Sequence, residues 1–148
     1  MKTLVAYFSK SGRTKKCAEE IAQIIGADTF EIRTEKTYPD SYFKTLAVGK
    51  KEFSSGERPG LIGEAPDFAE YERVLVGFPV WFGTCPMAVV SFLEQHDWAG
   101  KIVYPFCTSG STGVRKGAAD IAKYSGADVK EGLRIKKVDK DEILKWVK

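Results

Sequence analysis

Histidine and cysteine are scarce in this chain. His96 is the one histidine, and the three cysteines are Cys17, Cys85 and Cys107. No two cysteines are spaced as CxxC, and no His/Cys cluster stands at ligand spacing, so zinc chemistry and other metal sites are not expected. An odd, sparse cysteine set is no disulfide framework and suits a reducing, cytoplasmic compartment. No apolar run reaches the ~18 residues that a membrane span needs, so no membrane partner is expected. Residues 1–8 hold one lysine and a short apolar stretch. They lack the apolar length and cleavage site of a signal peptide, and read as a first β-strand. Repeats and low-complexity tracts are absent. Charge of either sign is unconcentrated: 23 Lys and Arg against 20 Asp and Glu give a net charge of +3. No basic block lies beside interleaved aromatics, so no nucleic-acid partner is expected.

What is present fits a single domain, residues 1–148, with 43% hydrophobic residues. A chain of this length can bury ~68–70% of its unfolded surface, so its core needs no staple. Residues 4–8 form a near-continuous apolar run, suited to a strand buried on both faces. A helix follows, with Ala18, Ile21, Ala22 and Ile25 on one stripe and Gly26 closing it. Residues 29–32 read as a second strand. Pro39-Asp40-Ser41 starts a helix running to about Phe53, and residues 54–66 read as loop, with three glycines and two prolines. Residues 73–78 are the third strand, stopped by Pro79. Pro86 opens a third helix, with Thr84 or Cys85 as its cap and Val89, Phe92 and Leu93 inward. His96 continues that face as a partly buried histidine near the helix C-terminus.

Residues 101–107 are the fourth strand. Pro105 lacks a ladder donor, which places it at the strand's end or at a bulge. A fourth helix carries Val114, Ala118, Ile121 and Ala122. Residues 129–135 are the fifth strand, with Gly132 as a kink. Asp139 caps the last helix in a capping-box pattern with Glu142, and Ile143, Leu144 and Val147 pack inward. Strands alternating with helices specify an α/β fold, a five-stranded parallel sheet wrapped on both faces. Ligands of such sheets bind beyond the carboxyl ends of the strands, where the strand order switches.

Three loops converge on that edge. Residues 9–14 run from strand to helix through Ser9, Ser11, Gly12 and Thr14. Either they cradle an anion with backbone N–H groups and hydroxyls, or they are an ordinary capped turn. They match neither the Walker pattern nor GxGxxG. Residues 79–86 place Trp81 and Phe82 at the sheet mouth, either to stack on a planar ring or to pack under neighbouring loops. Residues 107–113 either offer N–H and hydroxyl groups to a polar ligand edge or connect and cap. Cys85 and Cys107 lie on the same edge, as redox thiols or as small packing residues. From Cys107 the nearest downstream arginine, Arg115, is too far for a tyrosine-phosphatase loop. No acidic residues follow the first strand as a response regulator would need. No Asp/Glu pair or second histidine is placed for acid–base work, so no catalytic residue is expected.

The segment Tyr7-Phe8-Ser9-Lys10-Ser11-Gly12-Arg13-Thr14 resembles the [ST]-x-[ST]-G-x-T phosphate loop of the flavodoxin family. Residues 77–86, Gly-Phe-Pro-Val-Trp-Phe-Gly-Thr-Cys-Pro, resemble the G-x-P-x-W-x-G-x-x-P segment of its short branch. Ser91-Phe92-Leu93, Gly100-Lys101 and residues 106–110 fit the same branch in order and spacing, so the resemblance spans essentially the whole chain. It implies a flavodoxin-like three-layer α/β/α sandwich with strand order 2-1-3-4-5 and non-covalently bound FMN. The phosphate would lie on residues 9–14, that is Ser9, Lys10, Ser11, Gly12, Arg13 and Thr14. The isoalloxazine ring would lie between Pro79, Val80, Trp81, Phe82 and Gly83 on one side and Thr108, Ser109, Gly110 and Ser111 on the other. Trp81 would be the stacking aromatic.

Two departures stand out. Arg13 replaces the usual asparagine, and either pairs with the phosphate or points to solvent. Long-chain electron shuttles of the family are strongly acidic, whereas this chain is mildly basic, and a less negative site favours the anionic reduced flavin. The resemblance implies an electron-transfer protein working between a reductase and an acceptor protein. The alternative is an NAD(P)H-dependent FMN quinone or nitro reductase, and a third class is a flavin-free binding module.

Overall fold

The computed structural model describes residues 2–39 and 41–148. Its centre is a parallel sheet. β1 (Thr3–Tyr7), β2 (Asp28–Glu31), β5 (Arg73–Pro79) and β6 (Ile102–Thr108) stand in the order β2-β1-β5-β6. Two short strands, β7 (Asp128–Val129) and β8 (Leu133–Arg134), both pair with β6 at the far edge. The expected order 2-1-3-4-5 therefore holds, with the fifth position shared between two pieces. The break falls at residues 130–132, where Gly132 was expected to kink the strand.

That break explains Pro105. It sits inside β6, paired with Val76, and neither ends the strand nor bulges it. Lys130 N–H donates to Val103 O and Ile135 N–H to Cys107 O, both at 2.8 Å. Odd-numbered peptide groups of β6 thus face the fifth position, and Pro105 faces its gap. The missing donor lies where no strand waits for it.

Alternation along the strands makes two layers. Leu4, Ala6, Val74, Val76, Phe78 and Val103 face α3 (Met87–Glu94) and α4 (Arg115–Ser125). Val5, Tyr7, Leu75 and Phe106 face α1 (Arg13–Ile25) and α5 (Lys140–Trp146). α1 buries Ala18, Ile21 and Ala22, and Gly26 ends it at φ 68°. α3 is buried along its whole length from Met87 to Leu93, which is why its apolar residues show no clean stripe. In α5, Asp139 caps as expected by accepting from Glu142 N–H at 3.0 Å. Leu144, expected inward, is 43% exposed, while Ile143 and Val147 are buried. The helix turns too quickly for adjacent residues to share one face.

Residues 33–66 are richer than expected. α2 (Tyr42–Ser55) follows Ser41; Asp40 lies outside the described residues. β3 (Arg33–Thr34) pairs antiparallel with β4 (Leu61–Ile62), and β4 falls within residues 54–66, read as loop. Pro86 stands at the N-cap of α3 without a side-chain bond, so neither Thr84 nor Cys85 caps that helix. His96 is half-buried just past its end, stacked on Phe68 at 4.4 Å; burial, then the Lys101 charge, lower its pKa.

One close approach fixes the middle of the sheet. Gly77 faces Phe106 across the β5–β6 ladder, and a Cβ there would fall 2.2 Å from the ring. Gly77→Ala is expected to cost ~1–3 kcal/mol by overpacking. Urea unfolding of Gly77→Ala, with and without Phe106→Leu to make room, checks this: the second change should recover part of the loss.

Candidate functional site

β5 and β6 end level, Pro79 opposite Thr108, and β1 ends two residues lower, at Tyr7 opposite Gly77, so the loops at residues 8–12, 80–86 and 109–114 leave the same sheet edge at the switch in strand order. The first loop turns into α1 through Gly12, at φ 92°. Gly12 has no side chain to cap the helix, and no other side chain does so. The Ser9 hydroxyl is used inside the loop, accepting from Gly12 N–H at 3.1 Å. The choice between a capped turn and an anion cradle is thereby weighted: the first-turn N–H groups lack a cap. α1 also has no acidic residue in its first turn. Exposed Arg13, Lys15 and Lys16 stand there instead. Cations at a helix N-terminus oppose the macrodipole, and an anion bound between them relieves both fields.

Thr14, expected as a phosphate-loop hydroxyl, is buried. It is 2% exposed, and its Oγ1 lies 2.8 Å from Thr108 Oγ1. One hydroxyl donates to the other, and the accepting hydroxyl keeps its own proton to offer. The pair ties the first turn of α1 to the end of β6.

A cavity of about 460 Å³ opens beside Thr108, within the ~300–1,000 Å³ range of cofactor-sized pockets. Lys10, Ser11, Pro79, Val80, Trp81 and Thr108 line it, together with Thr45 and Leu46 of α2. The first six are among the expected site residues; Thr45 and Leu46 are not, because nothing in the sequence ties α2 to that edge.

Trp81 is half-buried, edge-on to Phe8 (5.5 Å between centroids, 88°) and to Tyr38 (5.3 Å, 78°). It packs under a neighbour and lines the cavity at once, so the two readings of this aromatic are compatible. Trp81 and Thr84 exchange both backbone bonds, 2.9 and 3.1 Å, across Phe82-Gly83. Phe82 has φ 53° and Gly83 φ 81°, the signature of a type I′ turn. Phe82 is the one non-glycine described residue with positive φ, and its ring is partly exposed beside Phe53. Thr84 Oγ1 donates to Asp120, fastening the turn to α4. Ser109 Oγ donates to Thr112 O, and Arg134 donates to Ser109 O at 3.0 Å. Ser109, Gly110 and Ser111 therefore form an ordered rim rather than the cavity wall. Arg134, two residues beyond the kink glycine, carries no sequence signal for this role.

Cys85 is 2% exposed and Cys107 fully buried. Burial pushes their thiols up to about 12 and about 11. They are small packing residues here, because the reactive thiolate is suppressed. No group of three or more His, Cys, Asp and Glu is placed to hold a metal ion among the described residues, and no helix is long and apolar enough to cross a membrane among them.

Fold and loops together define an α/β protein with an uncapped, acid-free helix start and an aromatic-walled cleft at the strand-order switch. The flavodoxin family pattern matches residues 2–148, and the chain belongs to the flavodoxin family. Among solved structures it is similar to a Bacteroides eggerthii protein described as a flavoprotein (TM-score 0.91, 29% identity, 99% of this chain and 95% of that one). It is also similar to one from Bacteroides uniformis (0.88, 31%, 99% and 97%). A third is a flavoprotein from Lactobacillus acidophilus solved in complex with FMN (0.85, 28%, 99% and 99%).

The thiols set a pH expectation. Their folded pKa values lie above the unfolded 9.0, so they contribute stability below pH 9. That contribution falls away between pH 9 and about 11 to 12. Native protein at pH 8 should resist iodoacetamide at Cys85 and Cys107, and label at both in urea, as read by peptide mass spectrometry.

Proposed function

We propose that this chain binds FMN non-covalently in the cleft and serves as an electron-transfer protein. The observation that carries the reading is the first turn of α1. It has a glycine N-cap, no capping side chain and no acid, and it is flanked by Arg13, Lys15 and Lys16. That donor set suits a dianionic phosphate. The adjoining cavity suits a planar ring, with Trp81, Val80 and Thr108 on its wall, and Thr14 behind it bonded to Thr108. The Lactobacillus acidophilus relative, solved with FMN, supports the same ligand.

When bound, FMN supplies the one- and two-electron chemistry. The chain's residues do the rest. Ser9, Ser11 and the Gly12 turn hold the phosphate end. Pro79, Val80 and Trp81 orient the ring and shield it from water. Ser109, Gly110 and Ser111, ordered as a rim by the Ser109–Thr112 and Arg134–Ser109 bonds, would border the polar end of the cofactor. No side chain of the cleft is placed as an acid or base, which suits a carrier. The working partners on this reading are an electron-donating reductase and an acceptor protein. The three free, buried cysteines favour a reducing compartment such as the cytoplasm.

Titration of the purified protein with FMN tests the reading. Micromolar or tighter binding, with tryptophan fluorescence quenched and a retained yellow chromophore, is the expected result. Trp81→Ala should weaken binding by about tenfold or more, about 1.4 kcal/mol. A colourless protein whose fluorescence ignores FMN overturns it. Direct oxidation of NAD(P)H by the loaded protein alone would move the assignment from carrier to reductase.

A further inference from the structure

We infer that Glu52, on α2, is a positioning residue: through Tyr38 it sets the orientation of Trp81 and the seat of α2 on the cleft. Glutamates are almost never fully buried unless paired, and Glu52 is 1% exposed. Its carboxylate accepts from the Tyr38 hydroxyl, 2.7 Å to Oε1 and 3.0 Å to Oε2. Lys36 Nζ stands 2.8 Å from Oε2 and bridges on to Glu57 at 3.3 Å. Burial, then the bond to Glu52, push the Tyr38 pKa upward, so the phenol remains a donor.

The bonds of Glu52 lead to the cleft. Tyr38 is 5% exposed and meets Phe8 at 5.9 Å and Trp81 at 5.3 Å, both edge-on. With the Phe8–Trp81 contact at 5.5 Å, the three rings form a closed set in which none can turn without the others. On the same helix, Gly49 lies against Trp81 and Phe82; a Cβ there would come within 3.3 Å of both rings. Thr45 and Leu46, one turn earlier, line the cavity. α2 is therefore registered on Trp81 twice, by the Gly49 contact and by the carboxylate that grips Tyr38.

Stability alone does not account for the group. An apolar residue of similar size would avoid desolvating a charge, and buried ion pairs replaced this way are often neutral or better. An apolar contact tolerates sliding, whereas a carboxylate held by two donors, the Tyr38 hydroxyl and Lys36 Nζ, fixes one register. The role of Glu52 is thus geometric: it selects the α2 position that leaves the cavity beside Trp81 open at its observed width.

The proposal rests on the FMN reading for its consequence but not for its geometry, so two readouts are used. Protein labelled with 5-fluorotryptophan gives one fluorine resonance for each of the three tryptophans, and loss of a signal in Trp81→Phe assigns that of Trp81. Glu52→Leu and Tyr38→Phe are expected to shift or split the Trp81 resonance with or without FMN. They should also weaken FMN binding by about tenfold and displace the visible absorption bands of the bound flavin. Glu52→Gln keeps an acceptor for Tyr38 and should stay within about threefold of wild type, a change of less than 1 kcal/mol. A melting-temperature loss in Tyr38→Phe with an unmoved Trp81 resonance and unchanged FMN affinity overturns the proposal, leaving Glu52 a structural residue only. Should Glu52→Leu fail to fold, Tyr38→Phe, which keeps the ring, decides. Should wild-type protein bind no FMN, the functional reading fails, and the fluorine spectrum still judges the role of Glu52.

Discussion

Every loop of the cleft hangs from β5. That strand pairs with β1 on one side and β6 on the other, and its register places Gly77 opposite both Tyr7 and Phe106. The row sets the last residue of β1 two residues below the ends of β5 and β6, which gives loops from distant parts of the sequence a common rim. Gly77 also makes the row possible in a second sense, since Phe106 occupies the space its side chain would take. A parallel ladder transmits such a constraint because its hydrogen bonds are evenly spaced, and a slip of one residue would turn every inward side chain outward. The hydroxyl pair of Thr14 and Thr108 then ties the first turn of α1 directly to the end of β6.

Electrostatics give the cleft two unequal ends. The loop at α1 gathers N–H groups and cations with no acid in the first turn. The far end, beside Trp81, is aromatic and nearly uncharged. A ligand that carries its charge at one terminus and a flat ring at the other is complementary to this gradient. A fully charged ligand would leave the aromatic wall unused, and a neutral one would leave the helix terminus unanswered. The wall between the two ends includes Thr45 and Leu46 of α2, a helix seated by the Gly49 contact with Trp81 and by the Glu52–Tyr38 bond. Precision at that wall depends on those contacts.

Much of this was legible in the sequence, and what was missed follows a pattern. The first loop and the Trp81 segment are contiguous, so their residues could be named from one stretch of chain. Thr45, Leu46, Tyr38 and Arg134 reach the site from other elements, and no local pattern announces that. The buried strands announced themselves by apolar runs; β3 and β4 did not, because two-residue strands have no periodicity to read. Pro105 misled for a different reason. The rule that proline avoids central strands assumes a continuous neighbour on each side, and only the position of the break in the fifth strand shows that the assumption fails here. Leu144 was placed inward on composition, whereas helical geometry allots the inward positions to Ile143 and Val147.

The same break has a consequence for how molecules of this protein meet one another. A long, flat outer strand offers a row of unpaired N–H and C=O groups on which a second sheet can grow. Here that border consists of two strands of two residues each, β7 and β8, interrupted at residues 130–132. No run of free groups long enough to template another strand remains along it. Trp146 closes the adjoining stretch by donating its indole N–H to Glu131 O at 2.7 Å. What reads within one molecule as an irregular last strand is, seen from outside, a sheet border without the continuous ladder that edge-to-edge pairing extends.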